Sequence, residues 1–155
     1  MRKIRSRKAV SPVIATVILV AVAITVAVAV SYWMGGISSQ YTKFEKVEIQ
    51  SATCTYDSAG FWNVSLKMKN TGTATASLIA VFINELEVEH YNDTIVQTDS
   101  TSTSMTGQDI ITSGDELTFW LAIDNGYATL SSGTTINVKI HSAGGMDYIK
   151  LVELV

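Results

Sequence analysis

Cysteine and histidine are nearly absent from this 155-residue chain, and the scarcity of each excludes particular kinds of cross-link and functional site. Cys54 is the only cysteine, so no disulfide forms within the chain, and a folded domain must be held by its core, by glycans or by neighbouring subunits. The only histidines, His90 and His141, lie in no nucleophile or metal motif, and the sequence contains no glycine-rich phosphate loop and no internal repeat. We therefore expect no enzymatic activity, no catalytic residue, no metal site and no cofactor.

Charge is missing from a long stretch near the N-terminus. No charged residue lies between Lys8 and Lys43, and no acidic residue precedes Glu45. Five of the first eight residues are basic: Arg2, Lys3, Arg5, Arg7 and Lys8. The chain beyond Ala9 carries six basic against fourteen acidic residues, a formal charge of −8. Such an acidic domain argues against nucleic acid as a partner, because phosphate binding needs clustered Lys or Arg.

The uncharged stretch is long enough to cross a membrane. Val13 to Val30 is an 18-residue run of almost only Val, Ala, Ile and Leu, and about 20 such residues span a hydrocarbon core of about 30 Å. The basic cluster before it is expected to stay in the cytoplasm, which places the rest of the chain outside the membrane. Three hypotheses remain open: a cleaved secretory signal, a single-pass anchor, and a leader cut before the apolar run. The run is too long for the first, and residues 31–34 (SYWM) make a poor cleavage site.

Residues 8–20, KAVSPVIATVILV, favour the third hypothesis. A basic residue, a small residue and a VSPVIA start that runs into an aliphatic helix resemble the N-terminus of archaeal type IV pilins. The likeness covers about residues 7 to 34. It implies a class III signal peptide that a prepilin peptidase cuts between Ala9 and Val10, with Lys8 preceding the site.

The same resemblance implies a function. The mature chain would be a pilin of a cell-surface filament used for adhesion, assembled by pilus machinery from copies of itself after a stage in the cytoplasmic membrane. Bacterial type IV pilins carry glutamate at the fifth mature position, where this chain has Ile14, so we favour the archaeal branch. An anchored extracellular binding domain that does not polymerise is the first alternative, and an archaellum filament subunit is the second.

The predicted domains are a leader at 1–9, a hydrophobic helix at 10–41 and an exterior domain at 42–155. The helix is apolar all round, which is typical of a helix buried on every side, in lipid before assembly and among sister helices afterwards. Gly35 and Gly36 are expected to form a flexible hinge before the exterior domain. We expect the filament core to be formed by Val13, Ile14, Val17, Ile18, Leu19, Ala21, Ile24, Ala27 and Val28.

The exterior domain is predicted to be an antiparallel, immunoglobulin-like β-sandwich, which makes the fold class α+β. Residues 61–69 alternate cleanly, with Trp62, Val64, Leu66 and Met68 facing inward, and the strand and turn at 67–73 look like those of immunoglobulin-like modules in archaeal surface proteins. Further strands are predicted at 44–56, 76–84, 85–91, 94–97, 116–124, 127–130, 134–141 and 146–155.

The sequence also predicts the position or role of several individual side chains. Glu85, Glu87 and Glu89 are expected to share a solvated strand face, with a Ca²⁺ site as the alternative. The hydroxyl-rich residues 99–107 are expected to form a mobile, soluble loop, with a loop that carries O-linked sugars as the alternative. Trp62, Phe119 and Trp120 are expected to lie in the core. Asn63 and Asn92 head Asn-X-Ser/Thr sequons, which makes each a candidate N-glycosylation site.

Overall fold

The computed structural model describes residues 11–93 and 100–155. The predicted cleavage residues Lys8, Ala9 and Val10, and the predicted strand at 94–97, lie outside the described residues. The chain divides into two compact units, the first ending at Thr42 and the second running from Lys43 to Val155.

The first unit contains one long helix, α1 (Pro12–Tyr41). Pro12 stands at its first turn, where the missing backbone N–H costs no hydrogen bond. The two threonines of the apolar run bond to their own helix: Thr16 Oγ1 donates to the Val13 carbonyl and Thr25 Oγ1 to the Ala21 carbonyl, each at 2.8 Å. Both hydroxyls are therefore satisfied without a partner outside the helix.

The helix continues through Gly35 and Gly36, so the break expected there does not occur. Helical structure runs five residues past Gly36 to Tyr41, and Ser39 Oγ bonds back to the Gly36 carbonyl at 2.8 Å. Glycine in a helix costs only about 1 kcal/mol relative to alanine, too little to end a long helix by itself.

The second unit is a two-sheet β-sandwich, which confirms the predicted α+β fold class. Its strands are β1 (Val47–Tyr56), β2 (Phe61–Asn70), β3 (Ala76–Ile83), β4 (Leu86–Glu87), β5 (His90–Tyr91), β6 (Thr101–Thr103), β7 (Asp109–Ile111), β8 (Glu116–Asp124), β9 (Thr135–Ser142) and β10 (Asp147–Glu153). The first sheet has the strand order β1-β2-β8-β6-β5 and the second β10-β9-β3-β4, with β7 paired to β3. All pairings among the described residues are antiparallel except the short parallel pair β5–β6.

The core lies between the two sheets and follows the period of two. On β2 the predicted inner face is confirmed, with Trp62, Val64, Leu66 and Met68 all buried. β9 supplies Ile136, Val138 and Ile140 from the other sheet. Burial of each such side chain contributes about 1.5–3 kcal/mol, and the sandwich therefore has a full core within residues 43–155.

The hydroxyl-rich segment contains a short buried strand, so the prediction of a soluble loop at 99–107 was wrong for residues 101–103. Thr101, Ser102 and Thr103 form β6, which pairs with the C-terminal part of β8, and all three are buried. Threonine favours strands, and its buried hydroxyl costs little once bonded. Thr103 Oγ1 donates to the Trp120 carbonyl at 3.0 Å.

The prediction that Trp120 lies in the core was also wrong. Phe119 and Trp120 are neighbours on β8, so their side chains point to opposite faces. Phe119 is buried in the core, whereas Trp120 is 48% exposed on the outer face of the first sheet.

Two predicted strands take another form. Residues 85–91 form two two-residue strands, β4 in one sheet and β5 in the other, because the chain crosses between the sheets there. Asn84 and Glu85 have positive φ angles and form the tight turn before β4. The segment predicted as a strand at 127–130 contains a short 3-10 helix, Tyr127–Thr129, in which Ala128 and Thr129 also have positive φ. β7 was not predicted at all.

Candidate membrane and assembly helix

The surface of α1 is apolar on every side from Pro12 to Met34. None of its thirty residues is buried, and the large side chains of the predicted filament core are between 55% and 70% exposed in the single chain. These residues are Val13, Ile14, Val17, Ile18, Leu19, Ile24 and Val28, and Ala21 and Ala27 are exposed as well. Exposed apolar surface of this extent marks a lipid or protein contact, because soluble monomers rarely present it to water.

The dimensions of α1 match a bilayer. Its 30 residues rise about 1.5 Å each, or about 45 Å in total, and the apolar part from Pro12 to Met34 accounts for about 35 Å of that, slightly more than a hydrocarbon core. Within the described residues it is the one helix long and apolar enough to cross a membrane. The remaining two turns, residues 35–41, carry serine and glutamine and suit a polar surrounding.

Aromatic rings mark the change from the apolar to the polar part of α1. Tyr32 is 88% and Trp33 is 65% exposed. Tyrosine and tryptophan are common at membrane–water interfaces, where their rings lie at the level of the lipid headgroups. One turn further, Gly36 has no side chain, so a shallow groove opens between Tyr32, Trp33, Ile37 and Gln40. The glycine that was predicted to be a hinge thus creates a notch on a continuous helix.

The acidic character of the sandwich is partly neutralised by ion pairs on its surface. The Lys67 and Lys69 ammonium groups lie 2.7 and 3.5 Å from the Glu116 carboxylate, and the hydrogen bond from Lys67 is the main reason that the pKa of Glu116 is lowered. Lys46 lies 2.6 Å from Glu48 and lowers the pKa of that carboxyl in the same way. These exposed pairs add little stability.

The glutamate triplet does not form a single strand face. Glu85, Glu87 and Glu89 are all exposed, but Glu85 lies in the turn and pairs with Lys139, while Glu87 accepts a 3.0 Å hydrogen bond from the Tyr91 hydroxyl. Among residues 11–93 and 100–155, no group of three or more metal-ligating side chains is close enough to hold a metal ion.

The two histidines lie apart in the fold. His141 Nδ1, on β9, is 2.5 Å from the Asp147 carboxylate on the neighbouring strand β10. His90 lies on β5 in the other sheet. Because they sit in different sheets, they do not form a common site.

The two sequons differ in accessibility. Asn92 is exposed and lies in a turn with φ of 55°. Asn63 lies in the middle of β2, between β1 and β8, and is only half-buried, but its Oδ1 atom is fully buried and has no hydrogen-bond partner. A glycosyltransferase would therefore reach Asn92 more readily than Asn63 in the folded domain.

A pocket of about 450 Å³, which was not predicted from the sequence, lies at one end of the sandwich. Tyr56 ends β1 and Trp62 is the second residue of β2, and the two residues are paired across the hairpin with ring centroids 5.6 Å apart. The other lining residues are Asn125, Leu130, Ser131, Ser132 and Val155, which follows β10. The signal available in the sequence was the pair of aromatic residues on either side of the predicted turn at 57–60.

No protein-family model and no curated protein sequence matches this chain. Among solved structures, it is similar to the archaellum periplasmic stator protein FlaG from Sulfolobus acidocaldarius, with 15% identity, a TM-score of 0.44, and coverage of 70% of this chain and 100% of that one. It is also similar to the archaeal flagellum of Methanospirillum hungatei strain JF1, with 15% identity, a TM-score of 0.46, and 94% of each chain covered. The Iho670 flagellar-like filament gives 13% identity, a TM-score of 0.39, and coverage of 93% and 98%. We draw no functional conclusion from likenesses this remote.

Proposed function

We propose that this chain is a pilin, the structural subunit of an archaeal type IV pilus-like filament that attaches cells to surfaces. The precursor sits in the cytoplasmic membrane with its basic N-terminus inside, prepilin peptidase removes residues 1–9, and pilus machinery assembles the mature subunits. The sandwich then lies outside the cell, on the surface of the filament.

The observation that carries this proposal is the contrast between the two units. Residues 43–155 bury a complete core of their own, whereas α1 buries none of its side chains. Such a helix is stable only in lipid or among other apolar helices. Outside the membrane, each Å² of apolar surface that sister helices cover contributes about 25 cal/mol, which favours a filament with the helices inside.

The sequence around the expected cut supports the same function. A bilayer anchor needs only length and hydrophobicity, whereas residues 8–15 also carry the small residue and the VSPVIA start of the pilin pattern. A peptidase that cuts before Val10 leaves the helix in the mature protein, and assembly requires that helix.

Mass spectrometry of filaments sheared from cells tests the proposal. We expect the chain to begin at Val10 and electron microscopy to show filaments that contain it. Replacing Ala9 with a bulky residue, Ala9→Trp, is expected to leave the chain beginning at Met1 and to abolish filaments, while Ser6→Trp, farther from the cut, is the matched control. Filaments built from chains that begin at Met1 would contradict the processing step.

An anchored binding domain is the second candidate, because the length of α1 suits a single membrane crossing equally well. It predicts a chain that begins at Met1, stays in the membrane fraction and forms no filament.

Deleting the gene distinguishes an archaellum subunit from an adhesion pilin. Loss of swimming with normal attachment would support the archaellum, and loss of attachment with normal swimming would support the adhesion pilus.

A further inference from the structure

We propose that the pocket beside Tyr56 binds a neutral saccharide, one ring of which stacks on the exposed tyrosine. This binding is a property of the sandwich alone and does not depend on whether the chain polymerises.

The position of the pocket suits a binding site. It lies where β1, β8 and β10 end and β2 begins, at the loop end of a β-sandwich, where a rigid scaffold holds the side chains that contact ligands. Lys43, where the domain begins, precedes the start of β1, and Tyr56 ends this ten-residue strand. A strand of ten residues extends about 33 Å, so the pocket lies a full strand length from the point where the chain enters the domain.

Its size and walls are those of a small-molecule site. A volume of about 450 Å³ falls within the range of about 300–1,000 Å³ typical of ligand pockets, which are mainly apolar with a few placed polar groups. Trp62 is 4% exposed and forms the floor, and its Nε1 donates to the Val155 carbonyl at 3.0 Å. That bond fixes the ring and uses its only polar group, so the floor offers an apolar surface.

Tyr56 provides the platform. Its side chain is 49% exposed although it stands at the end of a paired strand, and its ring is tilted by 56° to Trp62. The hydroxyl accepts a 3.3 Å hydrogen bond from Asn125 Nδ2, which ties the ring to the turn after β8. An aromatic face held in place at low entropic cost suits the C–H face of a sugar ring, as tyrosine does in other binding surfaces.

The polar groups at the rim both donate and accept. The Tyr56 hydroxyl accepts from Asn125 and remains able to donate, Asn125 retains its side-chain carbonyl oxygen, and the exposed hydroxyl of Ser132 does both. A polyol needs such a mixed set. All seven side chains that line the pocket are uncharged, and the domain around it is acidic, so a neutral sugar fits better than an anionic one.

The test is an NMR titration of the full chain in alkylphosphocholine micelles, a detergent without a sugar headgroup. The probes are glucose, galactose, mannose and N-acetylglucosamine, with sialic acid as an anionic sugar and glycerol as a polyol without a ring. We expect at least one neutral sugar to shift the amide signals of Tyr56, Asn125 and Ser132 in a saturable way, and neither sialic acid nor glycerol to do so.

Three variants locate the binding. Tyr56→Ala is expected to weaken it about tenfold or more, equivalent to about 1.4 kcal/mol, and Asn125→Ala to weaken it less. Trp120→Ala, which removes an aromatic ring of similar exposure from the outer face of the first sheet, is the matched control and is expected to leave the affinity unchanged. Absence of saturable shifts with every neutral sugar, equal shifts with glycerol or sialic acid, or unchanged affinity in Tyr56→Ala would each overturn the proposal.

Discussion

The Tyr148 hydroxyl donates a 3.0 Å hydrogen bond to the Glu45 carboxylate and so joins β10 to the segment that leads into β1. Burial of the phenol, and then the nearby carboxylate, raise the pKa of Tyr148 from 10.0 to about 12. The folded state therefore favours the protonated phenol. The protonated Tyr148 hydroxyl therefore contributes fully to the free energy of unfolding below about pH 10, and this contribution is lost as the pH rises to about 12.

Replacing Tyr148 with phenylalanine should remove both the bond and this alkaline loss. We expect Tyr148→Phe to lower the free energy of unfolding at neutral pH by about 1.5 kcal/mol, because the hydrogen bond to a charged acceptor is lost. Guanidinium unfolding in micelles, followed by circular dichroism, should show a smaller fall in stability between pH 10 and 12 than the unsubstituted chain shows. Tyr41→Phe, at a side chain that is 86% exposed, is the control. An identical fall in both variants would contradict the assignment to Tyr148.

Asn70 is a buried polar residue whose amide group is expected to be essential to the fold. Its Nδ2 atom donates to the carbonyls of Ala74 at 2.8 Å and Ile111 at 2.9 Å, and its Oδ1 atom accepts from the Gly72 backbone N–H at 2.9 Å. Asn70→Ala should cost about 3 kcal/mol, because buried carbonyls lose their donors. Denaturant unfolding checks this, with Asn125→Ala, an exposed asparagine, as the control. A cost below that of the control would show that the carbonyls find other partners.

Gly72 lies where the chain leaves no room for a side chain. A Cβ atom at this position would lie 2.5 Å from both the Lys46 nitrogen and the Phe44 carbonyl oxygen, which are backbone atoms that cannot rotate away. Gly72→Ala should therefore destabilise the sandwich by about 2 kcal/mol or more. Gly35→Ala is the opposite case: a Cβ atom there would have no other atom within 4 Å, and the substitution should stabilise the helix by about 1 kcal/mol. Thermal unfolding is expected to show a lower melting temperature for Gly72→Ala and no decrease for Gly35→Ala.

A charge in the middle of α1 should prevent assembly, if the helix forms the filament core as proposed. Ile24→Asp would bury an unpaired carboxylate among apolar side chains, at a cost of several kcal/mol per subunit. Electron microscopy is expected to show no filaments, with the sandwich still folded by NMR. Gln40→Asp places the same charge in the polar last turn of the same helix and is expected to permit filaments. Ile18→Asp should behave as Ile24→Asp does, and normal filaments from either would exclude a helical core.

Strong periodicity made part of this fold readable from the sequence. The alternation on β2 identified its inner face correctly because every second residue there is apolar and each fills the core. The extent of the apolar helix could be read from the absence of charge. That the helix continues through Gly35 and Gly36 could not be predicted from the sequence. Each glycine disfavours a helix by only about 1 kcal/mol relative to alanine, which is too little to end a helix that is long on its N-terminal side.

The remaining errors come from residues whose burial depends on their neighbours. Thr101 and Thr103 look soluble by composition, yet backbone groups of adjacent segments satisfy their hydroxyls: Thr101 Oγ1 accepts from the Glu89 N–H at 3.3 Å, and Thr103 Oγ1 donates to Trp120. Residues 127–130 look like a strand, but the positive φ angles of Ala128 and Thr129 bend the chain instead. The aromatic pocket was not foreseen because its walls come from segments far apart in sequence, at Tyr56 and Leu130.

The uniform apolar surface of α1 has a consequence for how copies would pack. A helix with a single apolar face packs that face against its neighbour. A helix that is apolar around its whole circumference has no face that fixes its rotation about its own axis. Rotating it about its own axis changes little in the interior of a bundle. In any assembly of these chains, the angular setting of each subunit must then come from the shape of its side chains and from the folded domain that it carries.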